Sequence, residues 1–533
     1  MMKLNKQIIK AGLAIMVMSS CTDLEEQPFT FVAPTTFYAN EAQLDESLMS
    51  VYGGFRDFAG DWVNYHRLEG CTEFAQPNRN PKDNNQNIND WYDVNSGNNS
   101  GTFTNVWAKA YVCINRANTV LERGKSINMS ETAKDRIYAQ ARFLRAYSYY
   151  WLVRIFGGVP IKEGVTEGLD GLEIPRNTVD EVYDYIIADL EYAEANLPLR
   201  GQADYDVWRV SKGAAQALLG ELYLFRGSMN DNSADYQKCV DYCKKVIDSG
   251  AYRLIDNYKD LWYAFNPASA KNNAESIYEL QYSVEAGQVN WMHQMLGTYG
   301  DSFYSSLGGM FMYLRSAPSV QAWESYDPAD KRLDVLISKG KARKGGEEIE
   351  MEFVASDLGQ IPGSKGWRCC APGNAKYYDF TTDASTGKAA NNWMVLRYSE
   401  VLLNYAEALN LLQPGSSDAL AKLNMVHQRA GLAPLSITSQ KELDDAIFRE
   451  RGWEFIGEGK LYFDELRTDR LGKNVYEFVN KYHAMGYAWF RELHFVPQKT
   501  FLWKIPKGDL NSNPALEQNP DNVSDPRYPL GNS

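Results

Sequence analysis

The stretch from Glu131 to Ile155 leaves the chain little choice of local structure. Ile137, Ala141, Leu144, Ser148, Trp151 and Ile155 recur at helical spacing on one face. Phe143, Tyr147 and Tyr150 fall on a neighbouring face. A helix apolar on two sides must be covered on two sides, so this one belongs inside an assembly of helices. Gly157-Gly158 and Pro160 then stop it.

The same period recurs along the chain. Helices are expected over Glu41–Phe55, Thr104–Arg123, Thr178–Leu197, Ser211–Phe225 and Ala234–Ser249. Ala215, Leu218, Leu222 and Phe225 mark one face of the fourth, whose alanines let a partner helix approach closely. Helical periods resume at Trp393–Leu412, Asp418–Ala430 and Glu442–Ile456. Pairs of helices at spacings of roughly 30 to 45 residues suggest tetratricopeptide-like hairpins, which stack into scaffolds with concave surfaces. Residues 251–390 break the pattern with Gly, Asn, Ser, Tyr and Trp, and Lys341–Glu350 reads there as a solvated, charged turn. The expected fold is mainly α: a helical-hairpin scaffold, an α-α superhelix, interrupted by a loop-rich insertion. The parts are 1–20 as a signal peptide, 21–40 as a tether, 41–250 as the first helical part, 251–390 as the insertion and 391–533 as the last helical part.

The amino terminus sets the compartment. Lys3, Lys6 and Lys10 precede an apolar run from Ala11 to Met18. That run is far short of the ~20 residues needed to span a bilayer, and it has the form of an export signal. Ser19-Ser20-Cys21 resembles a bacterial lipobox, although Met18 stands where a branched apolar residue is usual. Cys21 is therefore expected to be lipidated; the alternative is an ordinary signal peptide with a coincidental cysteine.

Several functions are disfavoured. The formal net charge of −13 has the wrong sign for a nucleic-acid binder. No HExxH, GxSxG or Walker motif occurs, and the five histidines are scattered. Asp83, Asp90 and Asp93 sit in an Asn- and Gly-rich loop that reads as solvated rather than as a pair of glycosidase carboxylates. Calcium is conceivable there, without EF-hand spacing, and no other cofactor is expected. No CxxC pair exists among the seven cysteines. Cys239 and Cys243, one helical turn apart, read better as small buried residues than as a metal or redox pair. Cys369-Cys370 leaves open a vicinal disulfide.

Eight blocks in order carry a resemblance. ARFLRAYSYYWLVRIFGGVPI, VYDYIIADLEYAEANLP and WRVSKGAAQALLGELYLFRG come first. VIDSGAYRLIDNYKDLW, WMVLRYSEVLLNYAEALN, LNMVHQRAGL, IFRERGWEFIGEGKLYFDELR and NPALEQNP follow. Together they resemble the SusD/RagB family of outer-membrane nutrient-binding lipoproteins, from Cys21 to about Pro520. His427 stands where the family usually has Arg, and Asp464-Glu465-Leu466-Arg467-Thr468 replaces its Asp-Leu-Arg-Arg-Trp stretch; both blocks read as scaffold. The resemblance implies a non-catalytic, lipid-anchored protein on the cell surface. It implies oligosaccharide capture and delivery to a SusC-like TonB-dependent transporter. A RagB-like peptide binder on the same fold, or a helical-repeat adaptor for protein partners alone, are the alternatives.

Sugar recognition asks for flat aromatic faces with amide and guanidinium groups beside them. The stretch from Asp61 to Trp107 offers Trp62, Tyr65, His66, Arg67, Trp91, Tyr92 and Asn95. The insertion offers Trp291, His293, Tyr304, Tyr313, Arg315 and Trp323. In the family, loops at both positions contribute to the ligand site. Trp91 and Tyr92 are the expected stacking platform, Asn95 and Arg67 its polar contacts, and Trp291 or Tyr313 the opposite wall; Trp62 and Tyr65 complete the set. Trp151 and Trp208 follow helix patterns and are assigned to the core.

Overall fold

The computed structural model describes residues 38–61, 65, 68–76, 101–165, 173–290, 303–305, 317–344, 347–354, 359–360, 362–364, 367–369, 372–379, 389–487, 490, 492 and 501–520. The fold is mainly helical. The first six helices are α1 (Glu41–Ala59), α2 (Gly101–Arg123), α3 (Glu131–Phe156), α4 (Val179–Asn196), α5 (Lys212–Asn230) and α6 (Ser233–Asp248). They pack as sequential neighbours, α1 on α2, α2 on α3, α3 on α4, and α5 on α6.

Local chemistry explains their ends. The Ser130 side chain accepts from the Ala133 N–H at 3.2 Å to start α3. Gly157, at φ 75°, ends it. Thr178 and Glu181 form a reciprocal capping box at the start of α4. Every residue of α3 from Phe143 to Phe156 is buried, so the helix is enclosed on all sides and not only on two. Arg145 is buried with it and makes a bidentate pair with Asp189 of α4 at 2.8 and 2.9 Å.

The small residues of α5 do what their size permits. A Cβ at Gly220 would lie 2.7 Å from Sγ of Cys243, so α6 can approach only because that atom is absent. Cys239 and Cys243 are free and fully buried, with sulfurs 4.0 Å apart. The Cys239 thiol points at the Asn404 carbonyl at 3.6 Å. They are packing residues, as their spacing suggested.

The insertion holds more strand than its composition announces. Between α6 and residue 393 lie β2 (Ser276–Leu280), β3 (Phe303–Ser305), β4 (Ala317–Pro318), β5 (Leu336–Ile337), β6 (Lys339–Lys344), β7 (Glu347–Phe353), β8 (Gly359–Gln360), β9 (Trp367–Cys369) and β10 (Gly373–Asn374). A short helix, α7 (Val320–Ser325), follows β4. A five-stranded sheet has the order β3-β6-β7-β9-β8. Lys341–Glu350 is thus not a turn throughout: Lys341–Lys344 and Glu347–Glu350 belong to two paired strands. Their register sets Lys339 against Glu352, Lys341 against Glu350 and Arg343 against Glu348. With few apolar residues in the alternation, the period-2 signal was invisible in hydropathy.

The expected helix Trp393–Leu412 is two elements. Trp393–Arg397 is β11, antiparallel to β2, and only from Tyr398 does α8 (Tyr398–Leu412) begin. All five residues of β11 are buried, and a short apolar run buried on both faces cannot be told from a buried helix by periodicity. The chain continues through α9 (Ser417–Arg429), α10 (Gln440–Phe455), α11 (Leu461–Arg467), α12 (Lys473–Ala484) and α13 (Lys507–Ser512).

A charged network fastens the insertion to the last helices. Buried Arg397 reaches Glu275 at 2.9 Å and Glu458 at 2.8 Å, and also contacts Glu454. Arg332 pairs with Asp330 and with Glu450, each at 2.7 Å. Lys376 meets Glu458 at 2.8 Å, and Arg429 meets Glu275 at 2.8 Å. His427 joins through Nδ1 to Glu450 at 2.8 Å. Three guanidinium groups hold the Glu454 carboxyl well below the usual carboxylate range despite its burial. His427 and Asp464–Arg467, in the two sequence blocks read as scaffold, are buried in the structure.

Candidate functional site

Two sequence regions were expected to form the site, and their described flanks meet. The strand β1 (Ala75–Gln76) pairs antiparallel with β4: Ala75 lies opposite Pro318 and Gln76 opposite Ala317. Residue 77 therefore follows directly from one strand, and residue 316 leads directly into the other. Side chains tighten the joint. Val320 N–H donates to Gln76 Oε1 at 2.9 Å, and Ser319 N–H to the Phe74 carbonyl at 2.8 Å. The Ser319 hydroxyl donates to the Glu73 carbonyl at 2.5 Å. The other end of the insertion is held where Asn290 and Ala389 form an isolated bridge.

Three carboxyl groups lie beneath this joint. Glu69 accepts from the N–H groups of Gly457 at 2.8 Å and Gly459 at 3.0 Å. Burial pushes it up to about 7. Glu465 accepts from the Glu73 N–H at 3.0 Å. Burial, with Glu73 nearby, raises it well above the ordinary range. The Glu73 carboxylate takes Gln321 at 2.5 Å and also the Asn474 amide, and burial raises it too.

Trp62, Arg67, Trp91, Tyr92, Asn95, Trp291 and Tyr313 lie outside the described residues, as do Cys21, Cys370 and the Asp83–Asp93 loop. Tyr65 is described, and it is not an exposed platform. Its ring is 6% exposed and packs 4.3 Å from Trp393 and 5.5 Å from Trp151. A Cβ at Gly459 would sit 2.0 Å from the ring, so Tyr65 is clamped beneath that turn. Trp323, on α7, is half-buried edge-on to Phe353 at 5.5 Å. Trp151 is in the core, 3% exposed, whereas Trp208 is only partly buried, over Tyr52 and Arg209.

A cleft of about 470 Å³ opens along α2, between it, the segment after α3, and α13. Trp107, Tyr111, Lys162, Asp509 and Asn513 are in its walls. The Trp107 indole bonds the Asp509 carboxylate, and the Lys162 ammonium sits 5.1 Å from the Tyr111 ring centre. Trp107 closes the stretch singled out in the sequence; Lys162 and Asp509 carried no signal, since they reach the cleft from distant segments. The root residues Glu73, Gln76 and Ser319 were missed for the same reason.

The model for the SusD family matches residues 223–521, more than half of the chain. The chain belongs to the SusD family. A second family model, described as starch-binding associating with outer membrane, matches residues 24–224. A SusD-like protein P2 of Formosa agariphila is 29% identical over 481 residues, covering 87% of this chain and 90% of that one. The starch-binding protein SusD of Bacteroides thetaiotaomicron is 26% identical over 441 residues, 76% of each chain. A solved SusD homolog from Bacteroides thetaiotaomicron superposes with a TM-score of 0.74 at 22% identity, over 92% of this chain and 99% of that one. These likenesses establish the fold. As a member of the SusD family the chain is a binding protein and not an enzyme.

Proposed function

We propose that this SusD-family chain is a cell-surface lipoprotein that binds oligosaccharides and delivers them to a SusC-like TonB-dependent transporter. Cys21 carries the lipid that anchors it in the outer membrane. The stretch from Asp61 to Trp107 and residues 291–316 supply the ligand contacts, with Trp91 and Tyr92 as the stacking platform. Asn95 and Arg67 bind hydroxyls, and Trp291 or Tyr313 faces them.

The β1–β4 pair is the observation that carries this reading. It gives two segments far apart in sequence, one rich in asparagine around Trp91 and Tyr92 and the other rich in aromatic residues, a common root on a buried frame. Binding groups on loops fixed by a rigid scaffold are the usual way such a site is built. The relatives supply the ligand class: one is named starch-binding, and a solved relative is described as laminarin binding.

Calorimetry of the mature protein against a panel of polysaccharides and oligosaccharides tests it. Saturable binding to a glycan, and none to mixed peptides, is expected. Peptide binding without glycan binding would transfer the fold to the RagB-like reading. A co-purifying barrel protein with neither ligand would make it an adaptor.

A further inference from the structure

At the junction of α3, α5 and α8 a cavity of about 30 Å³ is bordered by Tyr150, Glu221 and Asn404. Three of their atoms, the Tyr150 hydroxyl, Glu221 Oε2 and Asn404 Nδ2, are buried and have no hydrogen-bonding partner in the protein. The other ends of two of these side chains are held. Glu221 Oε1 accepts from Arg154 at 2.9 Å, and Asn404 Oδ1 accepts from Arg451 at 2.7 Å. Glu221 Oε2 and Asn404 Nδ2 are therefore not free to turn toward a protein partner. Each such group costs about 1–3 kcal/mol when nothing meets it. Native interiors leave few, and a shared partner accounts for three on one cavity.

The donor and acceptor pattern selects that partner. Asn404 Nδ2 can only donate, and Glu221, paired with Arg154 through its other oxygen, offers an acceptor in Oε2. A metal ion cannot accept from an amide N–H. An anion would face Glu221 and the neighbouring Glu400, which also borders the cavity. An ammonium has no acceptor. Water has both functions, the cavity is large enough to admit it, and about three hydrogen bonds is the usual number for a buried one. We propose that one structural water occupies this cavity, accepting from Asn404, donating to Glu221 and pairing with the Tyr150 hydroxyl. It joins α3 and α5 of the first helical part to α8 of the last.

Tyr150→Phe tests the assignment by the sign of its effect. It removes only the hydroxyl. With the water bound, the variant loses a hydrogen bond, and a Tm about 1–3 °C below the parent is expected. With nothing bound, the variant sheds an unsatisfied buried group, and an unchanged or raised Tm would overturn the proposal. A crystal structure of the parent chain should show one peak about 2.6–3.2 Å from all three atoms. An empty cavity, or an anomalous peak there after a thallium soak, would equally overturn it.

Discussion

Val320 donates its backbone N–H to the side-chain oxygen of Gln76 at 2.9 Å, across a sequence separation of 244 residues. Both are buried, so neither has water to fall back on. Gln76→Ala should strand the Val320 N–H and cost about 1–3 kcal/mol. Because the bond lies at the common root of the proposed ligand segments, glycan affinity should fall while the helical circular-dichroism signal stays. Unaltered affinity in a destabilised variant would separate this joint from ligand binding.

Trp91→Ala addresses the platform itself. Loss of a central aromatic anchor is typically worth about 2 kcal/mol or more, roughly a thirtyfold weakening. Binding should drop below detection for weak ligands, with no change in Tm. Parental affinity in this variant would move the site elsewhere, and the cleft along α2 would be the next place to mutate.

The buried carboxyl groups set the pH profile. Glu69 and Glu400 titrate near 7 in the folded chain, against an ordinary 4.5. The folded state holds their protons more tightly, so their contribution is complete below about pH 4.5 and is lost as pH rises through 7. Glu454, Glu458 and Asp464 are held low by arginine or lysine neighbours, and their contribution is lost as pH falls below the ordinary range. Thermal scans should therefore place maximum stability in mild acid, with Tm declining from pH 5 to 8. Glu69→Gln should flatten that decline. A Tm rising steadily toward pH 8 would contradict the assignment.

Arg397 is the hub of the charged network. Arg397→Met would leave Glu275, Glu454 and Glu458 with fewer cations in a buried setting. A loss of roughly 3–5 kcal/mol is expected from breaking such a pair on one side, measurable as a lower denaturation midpoint in urea. A loss under about 1 kcal/mol would mean that water reaches the network.

Cys21→Ala should move the protein from the membrane fraction to the soluble one when cells are broken and centrifuged. Membrane association persisting without a transporter present would contradict the lipid anchor.

Much of the scaffold was legible because period and punctuation agreed. The apolar stripe of α3 and the Gly-Gly stop that follows it specify helix on their own. Where they disagreed, reading failed for identifiable reasons. Trp393–Arg397 sits directly before a true helix with no breaker between them, and its strand identity comes from β2, over a hundred residues earlier. The hairpin around Lys341–Glu350 alternates charges in place of apolar residues. Of the expected site residues only Tyr65 falls among the described ones, and which rings are clamped inside is tertiary information. Tyr65 shows it, since the turn that covers it, at Gly459, is nearly four hundred residues away.

Cys71, Cys113, Cys239 and Cys243 are all buried thiols. Burial pushes the Cys113 thiol up to about 12, and Cys239 well above its ordinary value. Thiolate is the reactive form, so a maleimide reaches these four sulfurs only when the helices part. Their labelling rate then follows how often the scaffold opens, and the close fit of Cys243 against Gly220 makes the molecule its own gauge of that opening.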